Sequence, residues 1–335
     1  MGAYLGRGMN NRRKLVIALG AGALAAPLAS FAQQPPVKVH RIGLLGVASA
    51  ATYARQVEAL RAGLRELGYV EGKNLVIEFR WAGGRLDQLP GLAAELVRLK
   101  VDIIVTSGAG NRVAKQATTT IPIVMAVSND AVASGLVASL ARPGGNITGS
   151  TSFGPELDVK RLELIKEALP RMRRVAVLFD SSNPESKRRT LAMEVTARAL
   201  KVELQQFGVS GPGEFESAFL AMIRQRVEAV TILTDTVLVA NAGAVATLAA
   251  KHRIPSIGSI EVAEAGGLMA DGVNFPALWH RAAVFVDKIL TGAKPGDLPV
   301  ERPTIFDFSI NDKAAKALDI KFPQSILVQA TRVIE

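Results

Sequence analysis

The chain carries one α/β module twice in tandem, and that repetition constrains its fold more than any other feature. Arg41-Ile42-Gly43-Leu44-Leu45-Gly46 and Arg174-Val175-Ala176-Val177-Leu178-Phe179 both read as buried strands, 133 residues apart. The same offset relates Thr120-Ile121-Pro122-Ile123-Val124 to Arg253-Ile254-Pro255-Ser256-Ile257. Between these anchors, Lys100-Val101-Asp102-Ile103-Ile104-Val105 has a counterpart in Arg226-Val227-Glu228-Ala229-Val230-Thr231, displaced as an indel in a loop would displace it. Each copy alternates strands with helices, the pattern of a parallel sheet covered on both faces. The expected fold is therefore α/β, with two Rossmann-like lobes. Two equivalent lobes imply a cleft between them, where small ligands are commonly held.

The amino terminus predicts export. Arg7, Arg12, Arg13 and Lys14 precede the apolar run Leu15–Ala26, which ends in Ser30-Phe31-Ala32. A basic region, a short apolar core and a small-x-small site make a secretory signal. The run is shorter than the ~20 residues of a membrane-spanning helix. Cleavage is expected after Ala32, leaving a soluble periplasmic protein; the Arg12-Arg13 pair leaves twin-arginine export open. Without cysteine there is no lipoprotein anchor, disulfide, thiol nucleophile or cysteine-ligated metal.

Several function classes lose support. The net charge of +10 includes the four leader cations, and the remaining Lys and Arg are scattered rather than clustered with aromatics. No nucleic-acid partner is expected. Gly108-Ala109-Gly110-Asn111-Arg112-Val113 imitates a dinucleotide fingerprint, with Asp130 about 20 residues on. Val113 is too bulky for its last position, and the loop follows the third strand rather than the first. No cofactor is expected. His40, His252 and His280 avoid the strand-end loops, and no nucleophile elbow, zincin motif or phosphate loop is present, so no catalytic or metal-ligating residue is assigned.

Ligands of open α/β sheets bind beyond the carboxyl ends of the strands. Those ends are rich in small polar side chains: Ala48-Ser49, Thr106-Ser107-Gly108, Ser128-Asn129-Asp130, Asp180-Ser181-Ser182-Asn183, Thr234-Asp235 and Ser259-Ile260-Glu261. Several open helices, whose free amides favour a carboxylate, while Asp130, Asp180 and Asp235 could answer an ammonium group. A zwitterion would suit both. Asp235 is expected to point into the cleft as the most sensitive contact, the alternative being that it caps the helix starting near Val237.

Four segments carry a wider likeness: Gly63–Asn74, Thr120–Val124, Gly135–Gly149 and Glu264–Met269. They resemble the ABC-transporter substrate-binding family related to tryptophan and tyrosine uptake proteins, over nearly the whole chain after the leader. The resemblance implies the type I periplasmic-binding fold, with three crossovers near residues 149–157, 271–276 and 300–305. One lobe would hold residues 38–149 with 276–302, the other 150–275 with 303–335. It also implies cleft-lining loops at Thr106–Ala109, Ser128–Asp130, Ser150–Phe153 (with Ser152 and Phe153), Asp180–Asn183 and Thr234–Asp235. Asp271-Gly272 stands where relatives often carry an aromatic or hydroxyl residue before glycine, so Asp271 joins the candidates. The partners so implied are a small-molecule ligand, foremost an aromatic amino acid or related carboxylate, and an inner-membrane permease and ATPase, with the receptor a monomer. The competing reading is an exported α/β enzyme using cleft carboxylates.

Overall fold

Strands buried on both faces need helices on both sides, and the computed structural model builds this arrangement twice. It describes residues 1–3, 38–152 and 154–335; the leader, its cleavage site and Phe153 lie outside the described residues. His40–Glu335 forms one compact unit. The first sheet contains β1 (His40–Gly46), β2 (Leu75–Trp81), β3 (Ile103–Ser107), β4 (Ile123–Ser128) and β5 (Ile147–Thr151), in the order β2-β1-β3-β4-β5. The second contains β6 (Arg174–Asp180), β7 (Glu203–Val209), β8 (Ala229–Ile232), β9 (Ser256–Gly258), β10 (Met269–Val273), β11 (Phe306–Asn311) and β12 (Arg332–Ile334). Its order, β12-β11-β10-β9-β8-β6-β7, reproduces the first sheet strand for strand from β7 to β10. The tandem copies in the sequence are thus two copies of one sheet topology. The second adds an edge, since β11 runs antiparallel to β10 and β12 pairs beyond it.

Alternation within each strand distributes its side chains between two cores. Ile42 and Leu44 join Leu60, Leu64 and Phe285 on one side of the first sheet. Leu45 meets Leu89, Leu96 and Met125 on the other. Helix α1 (Ala54–Glu66) and the later Phe275–Leu290 helix cover the former face, α2 (Leu89–Arg98) and α3 (Ala109–Ala117) the latter. In the second lobe, Val175 and Val177 pack against α4 (Gly154–Ala168) and α5 (Pro184–Ala199). Ala176 and Leu178 pack against α6 (Phe215–Arg224).

The helix expected to start near Val237 is interrupted. The structure forms α7 (Thr236–Ala240) and α8 (Ala242–Lys251), broken at Asn241, whose Nδ2 donates 2.8 Å to Val237 O. A short amide side chain bonding its own helix competes with the backbone ladder, which explains the break. The short helix α9 (Ile260–Glu264) follows β9.

The chain passes between lobes three times. After β5 it enters α4, which packs on the second sheet. After β10 it enters α10 (Phe275–Leu290), which packs on α1 and β4 of the first. Asn274 caps α10 by accepting from Ala277 N at 2.8 Å and donates to Asp307 Oδ2 at 2.9 Å, so the β10–α10 junction is pinned to the returning strand. That return runs beside β5, where Glu301 N donates to Gly149 O and Thr151 N to Glu301 O, each at 2.9 Å. Helices α11 (Asp312–Ala317) and α12 (Gln324–Gln329) complete the chain. Among the described residues, no helix is long and apolar enough to cross a membrane.

Gly149 has no substitute at this junction. Its φ is +131°, and an added Cβ would overlap Met125 O and stand 2.7 Å from Met125 N. Both obstacles are backbone, so neither can rotate away. Gly149→Ala is expected to lower unfolding stability by about 3 kcal/mol or more. Denaturant titration checks this; a loss below 1 kcal/mol would contradict the close approach.

Candidate functional site

The carboxyl ends of the strands from both sheets border one cavity of about 700 Å³, counted to its open mouth. The first lobe contributes Ala48 after β1, Ser107 and Gly108 at the end of β3, and Ser128 and Asn129 at the end of β4. The second contributes Thr234 and Asp235 after β8, then Thr236 on α7. Eight residues named at strand ends from the sequence, Glu261 on the opposite rim included, therefore share this wall. Ser152 and Ser259 border an adjoining, smaller cavity that shares Asn129, Thr234 and Phe275 with the first.

The wall is partly aromatic. Tyr53, immediately before α1, donates to or accepts from Ser107 Oγ at 3.2 Å and packs edge-on against Trp279, ring centres 5.5 Å apart. Burial pushes the Tyr53 phenol above its ordinary pKa; the Ser107 hydrogen bond opposes this and the Glu261 charge adds to it. Trp279 and Phe275, both on α10, complete the apolar surface. Sequence reasoning passed over Tyr53, Phe275 and Trp279, because an aromatic on an amphipathic helix reads as core. Trp279 is indeed packed with Leu60 and Val286 on its other side.

The lobes touch across the cleft. Asn129 Nδ2 donates 3.3 Å to Thr234 O, and Ala109 N donates 3.4 Å to Thr236 Oγ1. A Cβ at Gly108, φ +57°, would lie 2.7 Å from Thr236 Oγ1, so glycine permits that approach. Farther out, Arg55 on α1 forms a bidentate pair with Glu264 at 3.0 and 2.8 Å, and Arg332 adds a third bond at 2.7 Å. Burial works to raise the Glu264 carboxyl, but these arginines outweigh it and hold the pKa below the ordinary range.

Beneath the second-lobe rim lies a buried charge network. Arg189 makes a two-pronged pair with Asp158, at 2.6 and 2.9 Å, and reaches Asp235 Oδ1 at 3.2 Å. Arg161 donates to Asp271 O at 2.6 Å, Ile232 O at 3.2 Å and Thr234 Oγ1 at 2.8 Å. Lys160 meets Asp271 Oδ1 at 2.9 Å. Three cations face three carboxylates, so the network is internally neutral. The sequence signal for it was available: Arg161 stands on the core-facing stripe of α4 between Leu157 and Ile165, where a charge must have buried partners.

This network redefines two expected contacts. Asp235 borders the cavity, but its carboxylate turns into its own lobe, accepting from Asp180 N at 2.8 Å and Ser186 Oγ at 2.7 Å besides Arg189. Nor does its side chain cap α7. Asp271 sits in mid-strand, fully buried, rather than at a cavity edge. The other candidates have local work. Thr106 Oγ1 donates to Leu45 O; Asp180 accepts from Ser182; Asn183 caps α5 through Glu185 N; Ser49 bonds Thr52. Ser181 is exposed, and Asp130 closes a turn onto Val132 N and Ala133 N.

Asp235→Asn should therefore act on stability. Replacing one acceptor oxygen by a donor sets an NH₂ against Asp180 N or Arg189, and unfolding stability should fall by about 1–3 kcal/mol. Thermal melting without ligand checks this. An unaltered melt with weakened ligand binding would instead make Asp235 a direct contact.

Comparison with known proteins gives the family. The model of a family described as ABC transporter substrate binding protein matches residues 41–334. A tyrosine-binding protein of Clostridioides difficile (strain R20291) is 28% identical over 85% of this chain and 82% of its own. Among solved structures, an ABC domain from Streptococcus pneumonia in complex with L-Trp is 26% identical, with a TM-score of 0.82 over 89% of this chain and all 100% of that one. A conserved domain protein from Vibrio cholerae is also 26% identical, with a TM-score of 0.83 over 88% of this chain and 100% of its own. The two-lobed α/β fold with parallel sheets is the type I periplasmic-binding fold. By its sequence match and its architecture, the chain belongs to the ABC transporter substrate-binding proteins.

Proposed function

We propose that this protein is the exported receptor of an ABC importer, carrying an amino acid with an aromatic side chain in the cavity between its lobes. The observation that carries the reading is the composition of that cavity wall. Tyr53, Phe275 and Trp279 offer ring surface, while Ser107, Ser128, Asn129, Thr234 and Thr236 offer polar groups from both lobes. A planar apolar side chain with a polar, charged head group matches such a wall. Helix α3 opens at the cavity wall beside Gly108, and its amino end favours the ligand carboxylate. The tyrosine-binding and L-Trp-bound relatives support the same class.

In this reading, the lobe of the first sheet, which keeps β5 through Thr151 rather than ending at 149, and the lobe of the second sheet move as two bodies hinged at the crossovers, closing on the ligand. The ligand is then passed unchanged to a permease driven by an ATPase. Export with cleavage after Ala32 places the receptor in the periplasm, as a monomer. Binding rather than catalysis is its work.

Calorimetric titration with L-tryptophan, L-tyrosine and L-alanine tests this. One of the two aromatic amino acids should bind at one site per chain, at least a hundredfold more tightly than L-alanine, and be recovered unchanged. Conversion of the ligand would favour the enzyme alternative, and no preference for a ring would remove the aromatic class.

A further inference from the structure

Two buried acceptors in the cavity have no donor. Gln56, on α1 of the first lobe, is 8% exposed, and its Oε1 has no hydrogen-bond partner. Glu261, on α9 of the second lobe, has its Oε2 buried in the same condition. Both line the cavity that Tyr53 and Trp279 border. A buried carbonyl oxygen without a donor is costly, and a buried carboxylate oxygen more so. Arg55 and Arg161 both feel the Glu261 charge, yet Arg55 is committed to Glu264, and Arg161 to Ile232 O, Thr234 Oγ1 and Asp271 O. Glu261 belongs neither to the neutral network beneath nor to the Arg55–Glu264–Arg332 cluster, and its Oε2 faces the cavity without a donor.

We infer that Glu261 and Gln56 are the ammonium-recognising pair of this cavity, one acceptor from each lobe. The inference rests on the proposed binding of an amino acid in the cleft and specifies the group that is read there. A primary ammonium carries three donors and no acceptor, the complement of two donor-less oxygens. A charge-assisted bond to Glu261 and a neutral one to Gln56 would satisfy both at once. Because the acceptors belong to different lobes, the same cation would link ligand recognition to closure. Asp130, Asp180 and Asp235, the carboxylates expected from strand ends, are each occupied by their own lobe's donors, which leaves Glu261 for this task.

The test compares L-tryptophan with tryptamine and 3-(indol-3-yl)propionate, and L-tyrosine with tyramine and 3-(4-hydroxyphenyl)propionate, by calorimetry. In each trio that binds, the propionate should be at least tenfold weaker than the amino acid. Glu261→Gln should weaken the amino acid and the amine by about ten- to a hundredfold and leave the propionate within threefold. A propionate as tight as its amino acid, or a Glu261→Gln loss equal for all three, overturns the assignment while the cleft reading stands. If neither amino acid binds the wild-type protein, the proposed ligand class falls, and this assignment with it. Melting without ligand is the second readout. Glu261→Gln should leave the melting temperature unchanged or raise it, since it removes the charge from a carboxylate whose Oε2 is buried without a donor; a fall of several degrees would make Glu261 a structural residue and overturn the assignment.

Discussion

The pair between Arg189 and Asp158, extended to Asp235, is the interaction on which the second-lobe rim depends. It ties α4, α5 and the end of β8 together, and through Asp180 N it holds the end of β6 as well. All three side chains are buried, so removing Arg189 would strand two carboxylates away from water, at a cost of about 3–5 kcal/mol. The strand ends that border the cavity are thereby fixed before any ligand arrives. Preorganisation of this kind reduces what a ligand must order on binding.

The contacts between lobes are weaker than those within them. Arg55 and Glu264 form the strongest bridge across the cleft, but their side chains are 56% and 26% exposed. An exposed ion pair contributes on the order of 1 kcal/mol or less. The hydrogen bonds Asn129–Thr234, Ala109–Thr236 and Gly154–Asn129, at 3.3, 3.4 and 3.4 Å, are long. In the proposed reading, two lobes joined by three crossovers and a thin set of direct contacts would open and close in an equilibrium that a ligand touching both sides shifts. Within the account, Glu261 and Gln56 are where it would touch them.

Much of the fold was legible because the repeat is written in strand cores and their punctuation. Ile42 and Val175, or Pro122 and Pro255, mark equivalent places, and the two sheets run in the same order. The extra antiparallel strand β11 was harder to place, since nothing in Phe306–Asn311 states its direction. The break at Asn241 was hidden because both flanks are good helix sequence, and only the side-chain bond to Val237 O decides it. At the site, strand-end loops led to Ser107, Ser128, Asn129 and Thr234, because topology alone sends those ends to the cleft. It could not reveal which carboxylates were already engaged. Asp235 and Glu261 look alike as loop acids, and only the neighbours brought by α5 separate them. Trp279 and Gln56 reach the cavity from helices whose role in sequence is to cover a sheet.

The central claim is that the cavity holds a small aromatic amino acid by a ring-lined wall and a cation site shared between lobes. A crystal structure of the protein grown with L-tryptophan or L-tyrosine tests it most directly. The ring should lie against Tyr53, Phe275 and Trp279, with the ligand nitrogen within hydrogen-bond distance of Glu261 and Gln56. A ligand seated elsewhere, or with its nitrogen turned towards Ser107 and its carboxylate towards Glu261, would contradict it.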